Sequence, residues 1–143
     1  MDKIDHEILK ELQADAKSGI KKIARKTGVP MSTVHHRITR MQSEGVIRKY
    51  TVVPDYKQAG IPVCAYVFIT VGHSGLASQE TVAREIRKID NVSEANIVSG
   101  EIDIIAKIRA ASVEEIGTKV IGRIREIKGV DKTVTSIVMR EIE

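Results

Sequence analysis

One cysteine, no tryptophan, one phenylalanine and three tyrosines in 143 residues leave little aromatic or covalent material to build with. A lone thiol, Cys64, excludes an intramolecular disulfide and fits a reducing cytoplasmic interior. It also leaves no zinc spacing, because His6 and His73 are distant in sequence. His35 and His36 are adjacent and point about 100° apart on a helix, so they cannot chelate one ion. Scarce aromatics make any core aliphatic and argue against binding single strands by base stacking. The longest apolar stretch, near Ile61–Val71, is broken by Pro62 and Thr70 and falls short of the roughly 18 residues that a membrane span needs. No basic segment followed by an apolar run opens the chain, so no secretory signal is read and the expected location is cytoplasmic. No phosphate-binding glycine loop is present. Gly72-His73-Ser74-Gly75 lacks the G-x-S-x-G spacing and reads as a strand-to-helix loop. With no nucleophile, base and orienting group to assemble, neither an enzyme nor a cofactor is expected.

The formal charge is +4, and its distribution carries more than its size. Residues 1–60 hold 12 basic and 7 acidic side chains, against 11 and 12 in residues 61–143. Within 17–49 there are nine basic residues and one acidic one, Glu44. The basicity therefore belongs to a segment.

That segment has helical punctuation. Ile4, Ile8, Leu9 and Leu12 recur at helical spacing, with Asp2 and Asp5 at the positive end of the helix dipole. Ser18 is placed to cap a second helix carrying Ile20, Ile23 and Ala24, which stops at Gly28. Pro30 lies in the turn, and Ser32 is placed to cap a third helix with Val34, Ile38 and Met41 inward, ended by Gly45. Val46–Val53 reads as one or two short strands. Three helices and a small hairpin make a winged helix-turn-helix over residues 1–53. Residues 54–62, with two prolines and a glycine, read as a hinge or linker.

Residues 63–143 follow a different pattern. Strands fit at 63–71, 92–99, 102–109 and 132–140. One helix is capped by Ser78, with Val82, Ile86 and Ile89 inward. Another is opened by the Ser112–Glu115 capping box, with Val113, Ile116, Val120, Ile124 and Ile127 inward. The order βαββαβ is the ferredoxin-like plan, giving an α+β chain overall. A shift of 38 residues places Val82, Ile86, Ile89 and Val92 on Val120, Ile124, Ile127 and Val130, a weak internal repeat that suits two similar halves. Strict alternation puts Tyr66, Phe68, Ala95, Ile97, Ile105, Val134 and Val138 on the sheet face away from the helices. A monomer seldom exposes so much apolar surface, so burial against a second copy is expected.

On the third helix, the face opposite the buried stripe carries Ser32, His36, Thr39, Arg40 and Ser43, flanked by Thr33 and His35. These are short hydrogen-bonding side chains suited to base edges in the major groove of double-stranded DNA. Lys21, Lys22, Arg48 and Lys49 surround them as phosphate neutralisers, joined by Lys17, Arg25 and Lys26. Arg37, beside the buried stripe, reads as a structural residue or a phosphate contact.

The chain resembles the Lrp/AsnC transcription regulators, the feast/famine regulatory proteins, from about Asp2 to Glu141. The likeness runs through Asp2-Lys3-Ile4-Asp5, Ile8-Leu9, Leu12, Ile23-Ala24, Gly28, Arg37-Ile38 and Gly45 to Tyr50. It continues in Gly60, Val98 to Asp103, Gly129-Val130, Thr133, Thr135 and Ser136. Met31, His35 and His36 depart from the family's usual recognition helix. The resemblance implies a DNA-binding winged helix and a ferredoxin-like (RAM or ACT-like) domain that dimerises through its sheets. Such dimers assemble into tetramers or octamers, with amino acids or related metabolites as effectors. By position, Gly100, Glu101, Asp103, Thr133, Thr135 and Ser136 are the effector candidates. The function expected is sequence-specific regulation at palindromic sites. Competing readings are a DNA-coating architectural protein and a stand-alone amino-acid sensor.

Overall fold

The computed structural model describes residues 1–72 and 77–142. The chain forms two compact units, Met1–Val53 and Pro54–Glu143. Of Gly72-His73-Ser74-Gly75, expected as a strand-to-helix loop, the last three residues lie outside the described residues.

The first unit is three helices: α1 (Lys3–Ala14), α2 (Ile20–Thr27) and α3 (Met31–Ser43). Asp2 caps α1 through a reciprocal pair: its carboxylate accepts from Asp5 N at 3.0 Å, and Asp5 accepts from Asp2 N at 2.8 Å. Gly28 ends α2 with φ of 71°, a conformation that favours glycine and turns the chain sharply into α3. The two serine caps read from the sequence do not form. Gly19 is the N-cap of α2, and Ser18 Oγ donates to Asp15 instead; α3 begins directly after Pro30, which puts Ser32 inside its first turn. Ile8, Leu12, Ile23, Ala24, Val34 and Met41 form the core, with Ile4, Ile20, Val29, Ile38, Val46 and Ile47 at its margin.

No strand forms in 46–53, so the expected wing is absent from this chain. Its apolar residues are divided between two uses. Val46 and Ile47 close the helical core, and Ile47 N donates to Met41 O at 3.0 Å. Val52 and Val53 are 76% and 87% exposed. A ribbon this short, with its first apolar residues committed elsewhere, lacks the face needed to hold two strands together.

The second unit runs β1 (Val63–Val71), α4 (Gln79–Arg87), β2 (Val92–Ile97), β3 (Ile104–Ala110), α5 (Val113–Glu115), a π-helical segment (Ile116–Val120), α6 (Ile121–Arg125) and β4 (Val130–Ile137). The sheet is antiparallel in the order β2-β3-β1-β4, which realises the βαββαβ plan. Alternate residues Ala65, Val67, Ile69 and Val71 of β1 meet Ile104, Ala106, Ile108 and Ala110 of β3 beneath Val82, Ile86, Val120 and Ile124. The internal repeat has a physical counterpart. Val92 N donates to Ile89 O and Val130 N to Ile127 O, the same turn in each half as the helix hands over to an edge strand.

Strict alternation fails in both edge strands, and opposite Thr70 and Val71 the register of β4 shifts. Between Val92 and Glu94 a bulge lets Ser93 drop out of register. The parity reverses beyond it: Ala95 and Ile97 pair with Ala106 and Ile104 and lie on the helix side, not on the open face. In the last helical stretch the π-helical segment adds a residue to the turn. Val120 and Ile121 are then both buried, while Val113, expected inward, is 55% exposed. The open face that remains carries Tyr66, Phe68, Ile105, Val134 and Val138.

Candidate nucleic-acid interface

α2 and α3, joined through Gly28, Val29 and Pro30, present the basic face. Ser32, His35, His36 and Thr39 are exposed along α3, and Thr33 is half-buried. Among the described residues no side-chain hydrogen bond engages Ser32, His35 or His36, while Thr39 Oγ1 donates back to His35 O at 3.0 Å. Lys21 and Lys22 are exposed on the first turn of α2, and Arg48 and Lys49 on the segment after α3.

Of the arginines of α3, Arg37 takes the structural place expected beside the buried stripe, and Arg40 joins it there. Arg37 Nη1 donates to Asp2 Oδ2 at 2.6 Å and to Asp5 Oδ1 at 2.8 Å. Arg40 Nη2 donates to the other oxygen of Asp5 at 2.6 Å. Asp5 is 1% exposed, so α1 and α3 share a buried carboxylate clamped by two guanidinium groups. The backbone N–H of Asp2, the Arg37 hydrogen bond and the Arg40 charge hold its pKa at about 2 against desolvation. The sequence puts Arg40 on the face opposite the buried stripe; it is half-buried, and its bond to Asp5 ties α3 to α1. The clue was present in sequence: Asp5 shares a helical stripe with Ile8 and Leu12, while Arg37 and Arg40 lie three apart on the partner helix.

The basic field is correspondingly narrower than the sequence count. Lys22 pairs with Asp15 and Lys26 with Glu11, both acids lying outside the basic window. Lys17, Lys21, Arg25, Arg48 and Lys49 have no ion pair among the described residues.

The six effector candidates separate into groups. Gly100, with φ of 124°, shapes the turn from β2 to β3, and Glu101 is exposed there. The Asp103 carboxylate accepts from Val71 N at 2.7 Å and from Gln79 Nε2 at 2.5 Å, which ties the turn to the end of β1 and the start of α4. Gln79 went unnoticed in sequence, since nothing there marks which polar residue of a helix's first turn meets a distant acid. Thr133 and Thr135 pair with Ile69 and Val67 on the helix side of β4, and Thr133 Oγ1 accepts from Arg125 Nε at 2.9 Å. Ser136 pairs with Tyr66 on the opposite face. β1 lies between the turn and these residues, so one chain does not gather all six.

Comparison with known proteins now decides the family. The sequence model of the AsnC-type helix-turn-helix domain matches residues 1–42, and that of the Lrp/AsnC ligand binding domain matches residues 64–143. The chain belongs to the Lrp/AsnC family. An HTH-type transcriptional regulator of Pyrococcus furiosus is 43% identical over 137 residues, 96% of this chain and 91% of its own length. The HTH-type transcriptional regulator FL11 of Pyrococcus abyssi is 34% identical over 142 residues, 98% and 90% of the two chains. Bacillus subtilis LrpC superposes with a TM-score of 0.82 at 27% identity, covering 100% of this chain and 97% of that one. Escherichia coli AsnC gives 0.80 at 26%, covering 99% and 93%. The chain is thus an Lrp/AsnC transcriptional regulator, with a helix-turn-helix unit and a domain of the family's ligand-binding type. Among the described residues, no helix is long and apolar enough to cross a membrane.

Proposed function

We propose that this Lrp/AsnC regulator acts in the cytoplasm, binds double-stranded DNA sequence-specifically as a dimer or larger assembly, and catalyses no reaction. The observation that carries the reading is the exposed row Ser32, His35, His36 and Thr39 on α3, edged by Lys21, Arg25, Arg48 and Lys49, which have no ion pair among the described residues. A helix of this kind enters the major groove, and its hydroxyl and imidazole groups meet base edges while the cations meet phosphates. The brace on Asp5 fixes the helix from behind, so Arg37 and Arg40 orient the reader and leave contact with bases to the residues in front.

Dimerisation uses the open sheet face of Tyr66, Phe68, Ile105, Val134 and Val138, of which Tyr66 and Val134 are 37% and 49% exposed. A twofold dimer would read half-sites about 10 bp apart, or a multiple of that. An amino acid or related small metabolite acts as effector at the Gly100–Asp103 turn with Thr133, Thr135 and Ser136. Because one chain divides these groups, the complete pocket requires neighbouring copies.

Selection of binding sites from random DNA with purified protein, with and without amino acids, tests the proposal. An enriched palindrome whose recovery changes with one amino acid supports it; salt-steep binding with no enriched site overturns it. One observation favours a DNA-coating architectural role as the second reading: with Arg40 bound to Asp5, the reading face has no arginine to make the bidentate contact with guanine.

A further inference from the structure

Arg109, at the end of β3, is the second unit's buried charge, with a side chain 6% exposed. Its guanidinium lies 3.4 Å from the centroid of the Tyr56 ring, a stacked arrangement that covers one flat side. Nη2 donates to Glu141 Oε1 at 2.5 Å. Nε and Nη1 are buried and meet no acceptor among the described residues, although a guanidinium fork accommodates a carboxylate with two parallel bonds. Cys64, the cross-strand neighbour, supplies no anion, since burial pushes its thiol up. Val138, bonded through its N–H to Cys64 O, adds an apolar neighbour.

The group that fills this place is held weakly. β4 ends at Ile137, and beyond Val138 the chain has no regular structure; Met139 and Ile142 are 93% and 84% exposed. Of the side chains from Val138 to Ile142, the one that makes a hydrogen bond is Glu141, and it is itself 47% exposed. A buried, half-satisfied cation is therefore closed by a single bond from an exposed terminal segment.

We propose that Arg109 is a carboxylate-binding site whose resident occupant is the Glu141 side chain, exchangeable for a small free monocarboxylate. A single guanidinium, one aromatic wall and apolar neighbours suit a singly charged carboxylate with a short hydrocarbon body better than a phosphate. A carboxylate from another protein is disfavoured, because Tyr56 and Glu141 of the same chain already enclose the guanidinium. The site is separate from the Gly100–Asp103 turn: Arg109 pairs with Cys64 near the start of β1, whereas Asp103 bonds Val71 at its end. Exchange frees the terminal segment, and through Tyr56 it acts on the turn at residues 55–60 that follows the helix-turn-helix unit.

The experiment uses full-length protein and sodium propionate, a small monocarboxylate resembling the glutamate side chain. The Arg109 Nε–H resonance, assigned by its loss in Arg109→Lys, is followed during titration, with sodium chloride as the ionic-strength control. In Glu141→Gln the resonance should shift saturably, at about 10-fold less propionate than in the wild type, where the tethered carboxylate competes. A chain ending at Arg140 should match Glu141→Gln, which guards against a misfolded variant. Three results would each overturn the proposal: no response in either variant, equal responses in wild type and variants, or a linear response that chloride reproduces. DNA binding enters none of these readouts, so the proposed function stands or falls separately.

Discussion

Among the described residues, Asp5 and Arg109 are the two charged side chains that the fold takes almost wholly out of water, at 1% and 5% exposed. They are treated in opposite ways. Both Asp5 oxygens are engaged, by the N–H of Asp2 and by Arg37 and Arg40, and every partner lies on a helix or at its cap. Among the described residues Arg109 has one side-chain hydrogen bond, with an irregular segment past β4, and leaves two donors unmet. A buried charge with all its partners built into rigid elements is a brace. One whose partner hangs on an exposed segment is a place where something exchanges.

The largest effect expected is on the brace. Asp5→Ala removes the buried carboxylate that Arg37 and Arg40 share and should destabilise the first unit by about 3 kcal/mol, read from denaturant unfolding. Arg109→Met removes an under-satisfied charge and fills its volume, so it should change the second unit's stability by less than about 1 kcal/mol, in either direction. If Arg109→Met cost as much as Asp5→Ala, the distinction between brace and exchange site would collapse.

Acid gives the next contrast. The folded-state pKa of Asp5 lies at about 2, below its ordinary value of 3.8, so its contribution is fully present above pH 4. It is lost as pH falls from about 4 towards 2, a loss of roughly 2 kcal/mol. Circular dichroism of the helical unit across that range should show the loss, and Asp5→Asn should abolish this component of the pH dependence.

Smaller still are the effects on DNA binding, which separate brace from reader. Arg48→Ala or Lys49→Ala should weaken binding to all sequences alike and lower the slope of log K against log salt by about 0.9 each, as filter binding would record. Arg40→Ala should lower the melting temperature while leaving the selected sequence unchanged. An altered sequence preference in that variant would return Arg40 to the reading face.

The elements were legible wherever one rule sufficed. β1 follows from alternation over 63–71, and the order βαββαβ from the spacing of caps and apolar stripes. Misreadings arose where two uses compete for one residue. Val46 and Ile47 are good strand residues, yet the helical core takes them and the wing does not form. Ala95 and Ile97 keep a two-residue period, yet the bulge at Ser93 reverses which side they face. Arg40 has the composition of a DNA contact, and only the partner helix, 35 residues away in sequence, reveals that its guanidinium is bonded to Asp5. The effector candidates can be named one by one from the sequence, but their division across β1 depends on sheet order, which no local pattern encodes.

The paired bulges have a consequence for how such molecules stay apart. A four-stranded sheet has two raw edges, each a row of unpaired peptide groups ready to recruit another strand. Here both edges carry the same defect near their start, between Val92 and Glu94 on β2 and opposite Thr70 and Val71 on β4. An irregular margin is a poor template for open-ended strand addition, so neither edge of this sheet invites it.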